Sequence, residues 1–190
     1  MQTAYLDTSV LSNWLLLYRK GRKTHQKAEK RARQCIELLY EIQRRRHRCK
    51  FITSKFAFAE LSQSARDARI AVKIIRDGLS LNWFNRLKKR YSLTRLEQVE
   101  IMQSIRSFKA YLEKLGIEIV ESAIDEEEVN RISLEYSLEV PDALHVAMAR
   151  KKATYLITID PDFSEARIKE PQIMKPATLV SHPAFRSKKH

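Results

Sequence analysis

The sequence predicts an α/β fold: a three-layer α/β/α sandwich around a central, mostly parallel sheet of about five strands. Short apolar runs recur along the 190 residues, and longer segments with helical periodicity separate them. Strands that alternate with helices build right-handed β-α-β units, which cover both faces of a parallel sheet with helices. We therefore expect buried strands between two helical layers.

The strands are predicted where short apolar runs stand between more polar segments. They span residues 3–6, 50–53, 117–120, 155–159 and 178–181. Each run has four or five residues, a length that is typical of strands and too short for an ordinary helix.

The helices are predicted from apolar periodicity and from capping residues. Residues 26–43 carry apolar side chains on one helical face, and Ser54 is an N-cap for the helix after the second strand. Thr94 is placed to cap another helix. Asp125 and the glutamates after it are typical of a helix start, where the helix dipole favours acidic side chains. No strand is predicted in residues 70–112, so a helical pair or triplet joins the second and third strands.

Length and composition favour a single domain, 1–190, with a helical elaboration at about 66–115. The two cysteines form no CxxC pair and predict neither a disulfide framework nor a zinc site. Only three glycines are present, which excludes the glycine-rich phosphate loops and hence nucleotide cofactors of those classes. The N-terminus lacks the pattern of a signal peptide, and no apolar run approaches the roughly 20 residues that cross a bilayer. We expect a cytoplasmic protein without a membrane segment.

The charge balance predicts a polyanionic partner. The chain has 36 Lys and Arg against 23 Asp and Glu, a net charge of +13 at pH 7. Such a field concentrates polyanions, and nucleic acid is the commonest one in a cell. The alternatives are a charge that serves solubility and an acidic protein partner. Four basic clusters are candidate RNA-binding surfaces or, equally, solvated helix ends. They are Arg44, Arg45, Arg46 and Arg48; Lys88, Lys89 and Arg90; residues 19–23; and residues 150–152.

Four carboxylates are predicted to meet at one edge of the sheet. Asp7 and Asp160 each follow a strand-like run, whereas Glu60 and Asp142 lie near the starts of helices. Ligands of open parallel sheets bind beyond the carboxyl ends of the strands, and this topology brings the four side chains toward one cleft. Converging carboxylates repel each other unless a hard cation such as Mg²⁺ or Mn²⁺ lies between them. The pattern therefore indicates metal-assisted phosphodiester hydrolysis.

Each acid also has a structural interpretation when it is taken alone. Asp7, Asp142 and Asp160 are placed to cap helices or turns, where the helix dipole stabilises them. Glu60 is harder to explain, because an unpaired carboxylate on a partly buried helix face is costly. A shared cleft accounts for all four. His145 lies three residues after Asp142, but hard cations prefer oxygen ligands, and we expect a packed or hydrogen-bonded histidine.

Four motifs resemble the PIN-domain family and, within it, the VapC-like toxins of toxin–antitoxin pairs. They are LDTSVL with Asp7 and Thr8, FAFAEL with Glu60, PDALHVAMA with Asp142, and LITIDPDF with Thr158, Asp160 and Asp162. Their order agrees with the family's, and they span nearly the whole chain. The sequence departs from the toxins in the long gap between Asp7 and Glu60 and in the extended helical stretch after Leu61.

The resemblance implies a metal-dependent endoribonuclease with one or two Mg²⁺ or Mn²⁺ ions. Carried over residue by residue, it implies that the ions are surrounded by Asp7, Glu60, Asp142 and Asp160, with Asp162 as a supplementary ligand. Thr8 and Thr158 match positions whose hydroxyls order the carboxylates or their water. The toxin resemblance also implies a protein antitoxin and homodimerisation. The many apolar positions of residues 26–43 and 94–112 would supply the interface, and the alternative is that these two helices pack on each other.

Three alternatives stay open. The first is an inactive module of the same fold that binds RNA or protein, although a pure binder of polyanions gains nothing from clustered negative charge. The second is a related nuclease that acts in RNA processing instead of as a toxin. The third is a 5′-nuclease-like DNA enzyme, which would usually carry a richer acidic cluster than this chain has.

Overall fold

The computed structural model describes residues 1–20, 30–44, 47–121, 125–183 and 185. At the centre of this part of the chain lies an all-parallel sheet of five strands in the order β3-β2-β1-β4-β5. The strands are β1 (Thr3–Leu6), β2 (Lys50–Ser54), β3 (Glu118–Val120), β4 (Tyr155–Ile157) and β5 (Gln172–Met174). The predicted α/β/α class with a central parallel sheet is confirmed.

Helices cover both faces of the sheet. They are α1 (Thr8–Lys20), α2 (Lys30–Gln43), α3 (Lys55–Arg76), α4 (Phe84–Leu87), α5 (Arg95–Lys114), α6 (Glu126–Tyr136), α7 (Val140–Lys152), α8 (Pro161–Glu165) and α9 (Pro176–Ser181). One core joins α1, α2, α3, α5 and α9 to the sheet face that carries Ala4 and Leu6. The other joins α6, α7 and α8 to the face that carries Tyr5, because successive strand side chains point to opposite faces. None of the described helices is long and apolar enough to cross a membrane.

β1 is the middle strand, and its register fixes the position of the residues that follow it. Tyr5 lies beside Ile52 of β2 on one side and beside Leu156 of β4 on the other. All three strands run in the same direction, so that their carboxyl ends reach one edge of the sheet together. Asp7, the first residue after β1, therefore lies at the middle of that edge.

Three predicted helix starts are confirmed. Ser54 Oγ accepts a hydrogen bond from the backbone N–H of Ala57 at 3.2 Å where α3 begins. Thr94 and Glu97 form a reciprocal capping box at the start of α5, and Asp125 caps α6. In each case a side-chain oxygen accepts from a backbone N–H group that has no partner inside the helix.

One predicted strand is wrong. Residues 178–181 belong to α9, and the fifth strand is β5, a few residues earlier. Pro176 lies in the first turn of α9, where its fixed φ angle suits a helix. β5 pairs with β4 alone at the sheet edge, and its three residues give too short an apolar pattern to stand out. The helix predicted at 26–43 is described from Lys30 onward, and residues 26–29 lie outside the described residues.

The buried side of α3 changes along the helix. Near its start, Phe58 and Leu61 pack into the core on the sheet, whereas Ile70 and Ile74 are buried farther along, where α3 contacts α4 and α5. Nine residues separate Leu61 from Ile70, which is two and a half turns, so the two apolar groups face opposite sides of the helix. The second half of α3 therefore packs on α4 and α5 and not on the sheet.

The predicted helical elaboration between the second and third strands consists of the second half of α3, the short α4 and the start of α5. Arg69 pairs with Glu100 at 2.6 Å and Lys73 pairs with Glu97 at 2.7 Å, which joins α3 to α5. These partly exposed pairs fix the relative position of the helices more than they add stability.

Candidate active site

Asp7 is a buried carboxylate whose oxygens are already bound by donors. Its side chain lies at the edge formed by the carboxyl ends of the strands and is 3% exposed. Oδ1 accepts from the backbone N–H of Thr8 at 2.6 Å, and Oδ2 accepts from Ser9 Oγ at 2.6 Å and from Thr158 Oγ1 at 2.8 Å. These hydrogen bonds offset the cost of burying a charge and hold the carboxylate in one orientation.

Thr158 connects Asp7 to the turn after β4. Its Oγ1 donates to Asp7 and accepts from the backbone N–H of Asp160 at 3.0 Å. Asp160 in turn caps α8, because its Oδ1 accepts from the backbone N–H of Asp162 at 3.0 Å. Burial raises the pKa of Asp160, and the nearby charges of Asp162 and Asp7 raise it further. The two acids that follow strands thus face the same space.

Glu60 reaches this edge from the second turn of α3. Its Oε2 accepts hydrogen bonds from Thr8 Oγ1 and from His145 Nε2, the latter at 2.5 Å. The same imidazole nitrogen is 3.5 Å from Asp7 Oδ1. His145 therefore bridges the carboxylates of Asp7 and Glu60, which would otherwise repel each other.

His145 is fully enclosed and hydrogen-bonded at both ring nitrogens. Nδ1 lies 2.7 Å from the hydroxyl of Tyr5, which itself donates to Ser54 Oγ at 2.8 Å. With the Tyr5 proton directed to Ser54, both imidazole nitrogens donate, as in the charged form. Burial is the largest influence on the His145 pKa and lowers it, but the hydrogen bond to Glu60 and the charges of Asp7, Glu60 and Asp142 together raise it above the ordinary value. His145 is therefore a hydrogen-bonded histidine, as predicted from the sequence.

Asp142 lies in the first turn of α7 and directly follows Pro141 in the sequence. Of the four acids it has the fewest hydrogen-bond partners among the described residues. Among the described residues, no donor forms a hydrogen bond with its carboxylate. Its pKa is raised to about 6, first by burial and then by the charges of Asp160, Asp7 and Glu60. The four acids predicted from the sequence therefore lie within electrostatic reach of one another.

An open cleft of about 300 Å³ reaches Asp142. Asp142, Asp162, Glu139 and Glu165 are in its wall, between the start of α7 and α8. Asp162 is exposed, and its backbone N–H donates to Asp160. The cleft gives solvent access to the edge of the acidic cluster.

The chemical nature of the side chains at this site suits a hard divalent cation, because they offer carboxylate and hydroxyl oxygens as ligands. Asp142, which accepts no hydrogen bond from the described residues, and the mutual repulsion of the acids also favour a cation here. Within the described residues, however, no group of three or more His, Cys, Asp or Glu side chains is arranged to hold a metal ion. Hydrogen bonds from Thr8, Ser9, Thr158 and His145 hold the oxygens of Asp7 and Glu60 in this arrangement.

Two of the four predicted RNA-binding clusters lie on separate surfaces. Arg44 and Arg48 are exposed at and beyond the end of α2, whereas Arg45 and Arg46 lie outside the described residues. Lys89 and Arg90 are exposed in the turn after α4, and Lys88 is partly buried there. Contact between these side chains and RNA stays a prediction.

The sequence did not indicate the roles of Ser9 and Tyr5 in this network. Ser9 Oγ binds both Asp7 and, at 3.1 Å, Thr158, and its place two residues after a strand-end aspartate is a usual position for such a contact. Tyr5 reads as an ordinary core residue of a strand. Only the three-dimensional packing of β1 against α7 shows that its hydroxyl meets His145.

Comparison with known proteins identifies one family. The model of the PIN domain matches residues 4–169, which is most of the chain and includes all four acids. No curated protein matches the sequence.

Proposed function

The chain belongs to the PIN domain family, and from this membership we propose that it is a divalent-metal-dependent endoribonuclease that hydrolyses RNA phosphodiester bonds. PIN domains are typically nucleases. The main support for the proposal is the electrostatic repulsion among the four acids. It is seen at Asp142, whose pKa is raised by burial and by the charges of Asp160, Asp7 and Glu60. In a module that only bound a polyanion, this arrangement would cost stability and oppose the ligand.

In this proposal the oxygens of Asp7, Glu60, Asp142 and Asp160 hold Mg²⁺ or Mn²⁺, with Asp162 as a supplementary ligand. Such an ion, when bound, activates a water molecule and stabilises charge on the phosphate. Thr158 and Ser9 keep Asp7 in one orientation, and Thr8 and His145 do the same for Glu60. These hydrogen bonds restrict the motion of both carboxylates, which lowers the entropic cost of assembling the site. No side chain has to act as the nucleophile.

The test is cleavage of a labelled single-stranded RNA in Mn²⁺, in Mg²⁺ and in chelator. We expect cleavage only with a divalent metal. Asp142→Asn should reduce the rate by about 100-fold or more, because it removes one charged group from the reacting site. Glu135→Gln is the matched control, since it removes one carboxylate from an exposed position on α6 and should cleave at the parent rate. Equal rates for Asp142→Asn and the parent protein would contradict the proposal.

We further propose that the enzyme is the toxin of a toxin–antitoxin pair and forms a homodimer. The support is the family resemblance of its motifs, together with an exposed apolar ridge on α5 formed by Leu96, Val99 and Met102, which are 69%, 43% and 48% exposed. Induced expression of the parent protein should arrest growth, and expression of the Asp142→Asn variant should not.

Sedimentation at high micromolar concentration tests the homodimer. We expect a dimer, and a clean monomer would contradict this part of the proposal.

A further inference from the structure

Trp83 is an exposed tryptophan in the turn between α3 and α4. It is 58% exposed, whereas Trp14, the other of the two tryptophans in the sequence, is fully buried. The guanidinium carbon of Arg86 lies 5.8 Å from the centre of the Trp83 ring, in a cation–π contact. Exposed aromatic rings and arginine planes are the groups on which unpaired bases stack.

The segment around Trp83 is strongly basic. Between residues 76 and 95 the sequence contains six basic residues against one acid, Asp77. Arg86, Lys89 and Arg90 are exposed. A positive surface of this kind attracts the phosphates of a nucleic acid strand, while the aromatic ring supplies contact with a base.

Hydrogen bonds hold this turn in place. Ser80 Oγ accepts from the backbone N–H of Asn82 at 3.2 Å, next to Trp83. At the far end, the Tyr91 hydroxyl donates to Asp77 Oδ2 at 2.6 Å, and Lys73 Nζ donates to the carbonyl of Ser92 at 2.9 Å. The ring is therefore presented on an ordered backbone, which reduces the entropy lost when a ligand binds.

The turn lies over the same face of α3 that carries Glu60. Lys88 Nζ is 3.9 Å from Asp67 Oδ2, so the chain after α4 folds back along α3. Asp67 comes seven residues after Glu60, which is close to two full turns, and the two side chains therefore share one helix face about 10 Å apart. The basic turn and the acidic cluster are thus on one side of the helix.

We propose that Trp83, Arg86, Lys89 and Arg90, here called the Trp83 platform, bind an unpaired segment of RNA whose neighbouring part reaches the acidic cluster. The inference rests on the proposed function for the identity of the ligand as RNA. An acidic protein would match the charge alone, whereas the paired ring and guanidinium match the flat face of a base. Double-stranded RNA would also be a poor ligand, because its bases are not available for stacking on a side chain.

The tryptophan itself supplies the readout. In chelator, which prevents metal-dependent cleavage, a single-stranded RNA 12-mer is titrated while tryptophan fluorescence and the anisotropy of a labelled RNA are followed. Because Trp14 is buried, we expect quenching to come from Trp83 and to disappear in Trp83→Phe. The same sequence as a duplex, and heparin as a polyanion without bases, should bind without comparable quenching.

Truncation of the ring measures its part in affinity. Trp83→Ala should weaken binding of the single strand by about 5- to 150-fold, the range that corresponds to the loss of one stacked base, and Trp83→Phe should recover most of it. Leu134→Ala is the matched control, because Leu134 is an apolar residue of α6 that is 83% exposed. Circular dichroism checks that the variants keep the fold of the parent protein.

The outcomes separate this inference from the proposed function. Equal single-strand affinity for Trp83→Ala and Leu134→Ala overturns the platform, even if the protein cleaves RNA with metal. Trp83-dependent binding of poly-glutamate without binding of RNA also overturns it and indicates an acidic protein partner. Trp83-dependent RNA binding in a protein that cleaves no RNA with any divalent metal supports the platform and contradicts the proposed function alone.

Discussion

At the scale of single residues, Asp7 and Asp142 carry the same charge in opposite environments. Asp7 is nearly inaccessible but accepts hydrogen bonds from Thr8, Ser9 and Thr158. Asp142 has no such donor among the described residues and faces other acids. Hydrogen bonds favour the ionised form of a carboxylate, whereas burial and like charges oppose it. In the absence of metal, the ionised Asp142 therefore opposes folding.

This difference predicts that Asp142→Asn stabilises the metal-free protein at neutral pH. The pKa of Asp142 in the folded state, about 6, is above its ordinary value of 3.8, so stability is lost as the pH rises through this interval. In chelator at pH 7.5 we expect the free energy of unfolding of the variant to exceed that of the parent by about 1–2 kcal/mol. The difference should shrink to near zero by about pH 3, which is below the ordinary pKa of 3.8, because the carboxyl is then protonated in both states.

Thermal unfolding at the two pH values, with Glu135→Gln as the matched control, provides the measurement. Lower stability of Asp142→Asn than of the parent at pH 7.5 would show that the carboxylate has a stabilising partner in the metal-free protein. Added Mn²⁺ should stabilise the parent more than the variant, because only the parent keeps all four acids.

Tyr5 is predicted to act on the site through His145. Tyr5→Phe removes only the hydroxyl that joins His145 Nδ1 to Ser54, and it should cost about 1–3 kcal/mol because a buried nitrogen loses its partner. If the proposed function holds, kcat should fall while KM for RNA changes little, since Glu60 would be less well held. Tyr155→Phe is the matched control, because the Tyr155 hydroxyl contacts Gln2 at the opposite end of the strands. A fall in kcat of the same size in both variants would rule out a specific role for Tyr5.

The acids of the site could be found in the sequence, but their hydrogen-bond partners could not. A carboxylate directly after a strand, as at Asp7 or Asp160, is placed by the topology of a parallel sheet, so its position follows from local patterns. The contact of Tyr5 with His145 joins residues 140 positions apart, and no local pattern encodes it.

At the scale of elements, the capping box of α5 is predicted to stabilise the helical elaboration. Thr94→Ala removes the acceptor for the backbone N–H of Glu97 and should lower the free energy of unfolding by about 1 kcal/mol. Ser92→Ala, an exposed serine two residues earlier, is the control and should have almost no effect. Urea unfolding followed by circular dichroism measures both, and an equally small effect for Thr94→Ala would contradict the prediction.

Glu97 adds an acid-sensitive component to the same helix start. Its hydrogen bond from Lys73 and that from the backbone of Thr94 lower its pKa to about 2, below the ordinary 4.5. A lowered pKa in the folded state means that this contribution is present at neutral pH and is lost as the pH falls from about 4.5 toward about 2. The stability difference between Glu97→Gln and the parent should shrink over that interval, which acid titration of the unfolding midpoint would measure.

Helix starts were predictable because a capping side chain and the backbone N–H that donates to it lie within three residues of each other. Ser54, Thr94 and Asp125 all follow this rule. β5 was missed because a three-residue edge strand depends on its pairing with β4 and not on a pattern of its own. The apolar residues of 178–181 were misassigned for the same reason, since a short buried helix and a short strand look alike in sequence.

At the scale of the whole molecule, the net charge of +13 predicts that RNA binding depends steeply on salt. Each phosphate neutralised by Lys or Arg releases counterions, so affinity falls as salt rises. Between about 50 and 200 mM salt we expect the affinity for single-stranded RNA, measured by anisotropy in chelator, to fall by about 300-fold if six phosphates are contacted. Nearly constant affinity over this range would contradict the prediction. It would indicate that the positive charge serves another partner or solubility.

The change of buried side along α3 has a consequence for how related chains could diverge. Adding or deleting one residue between Leu61 and Ile70 would turn the second half of the helix by about 100° and shift it by about 1.5 Å. Glu60, which precedes this stretch, would keep its contacts with Thr8 and His145, while Trp83 and the basic turn would point in a new direction. Length variation in this one helix could therefore redirect the proposed RNA-binding surface during evolution without any change in the four acids of the candidate site.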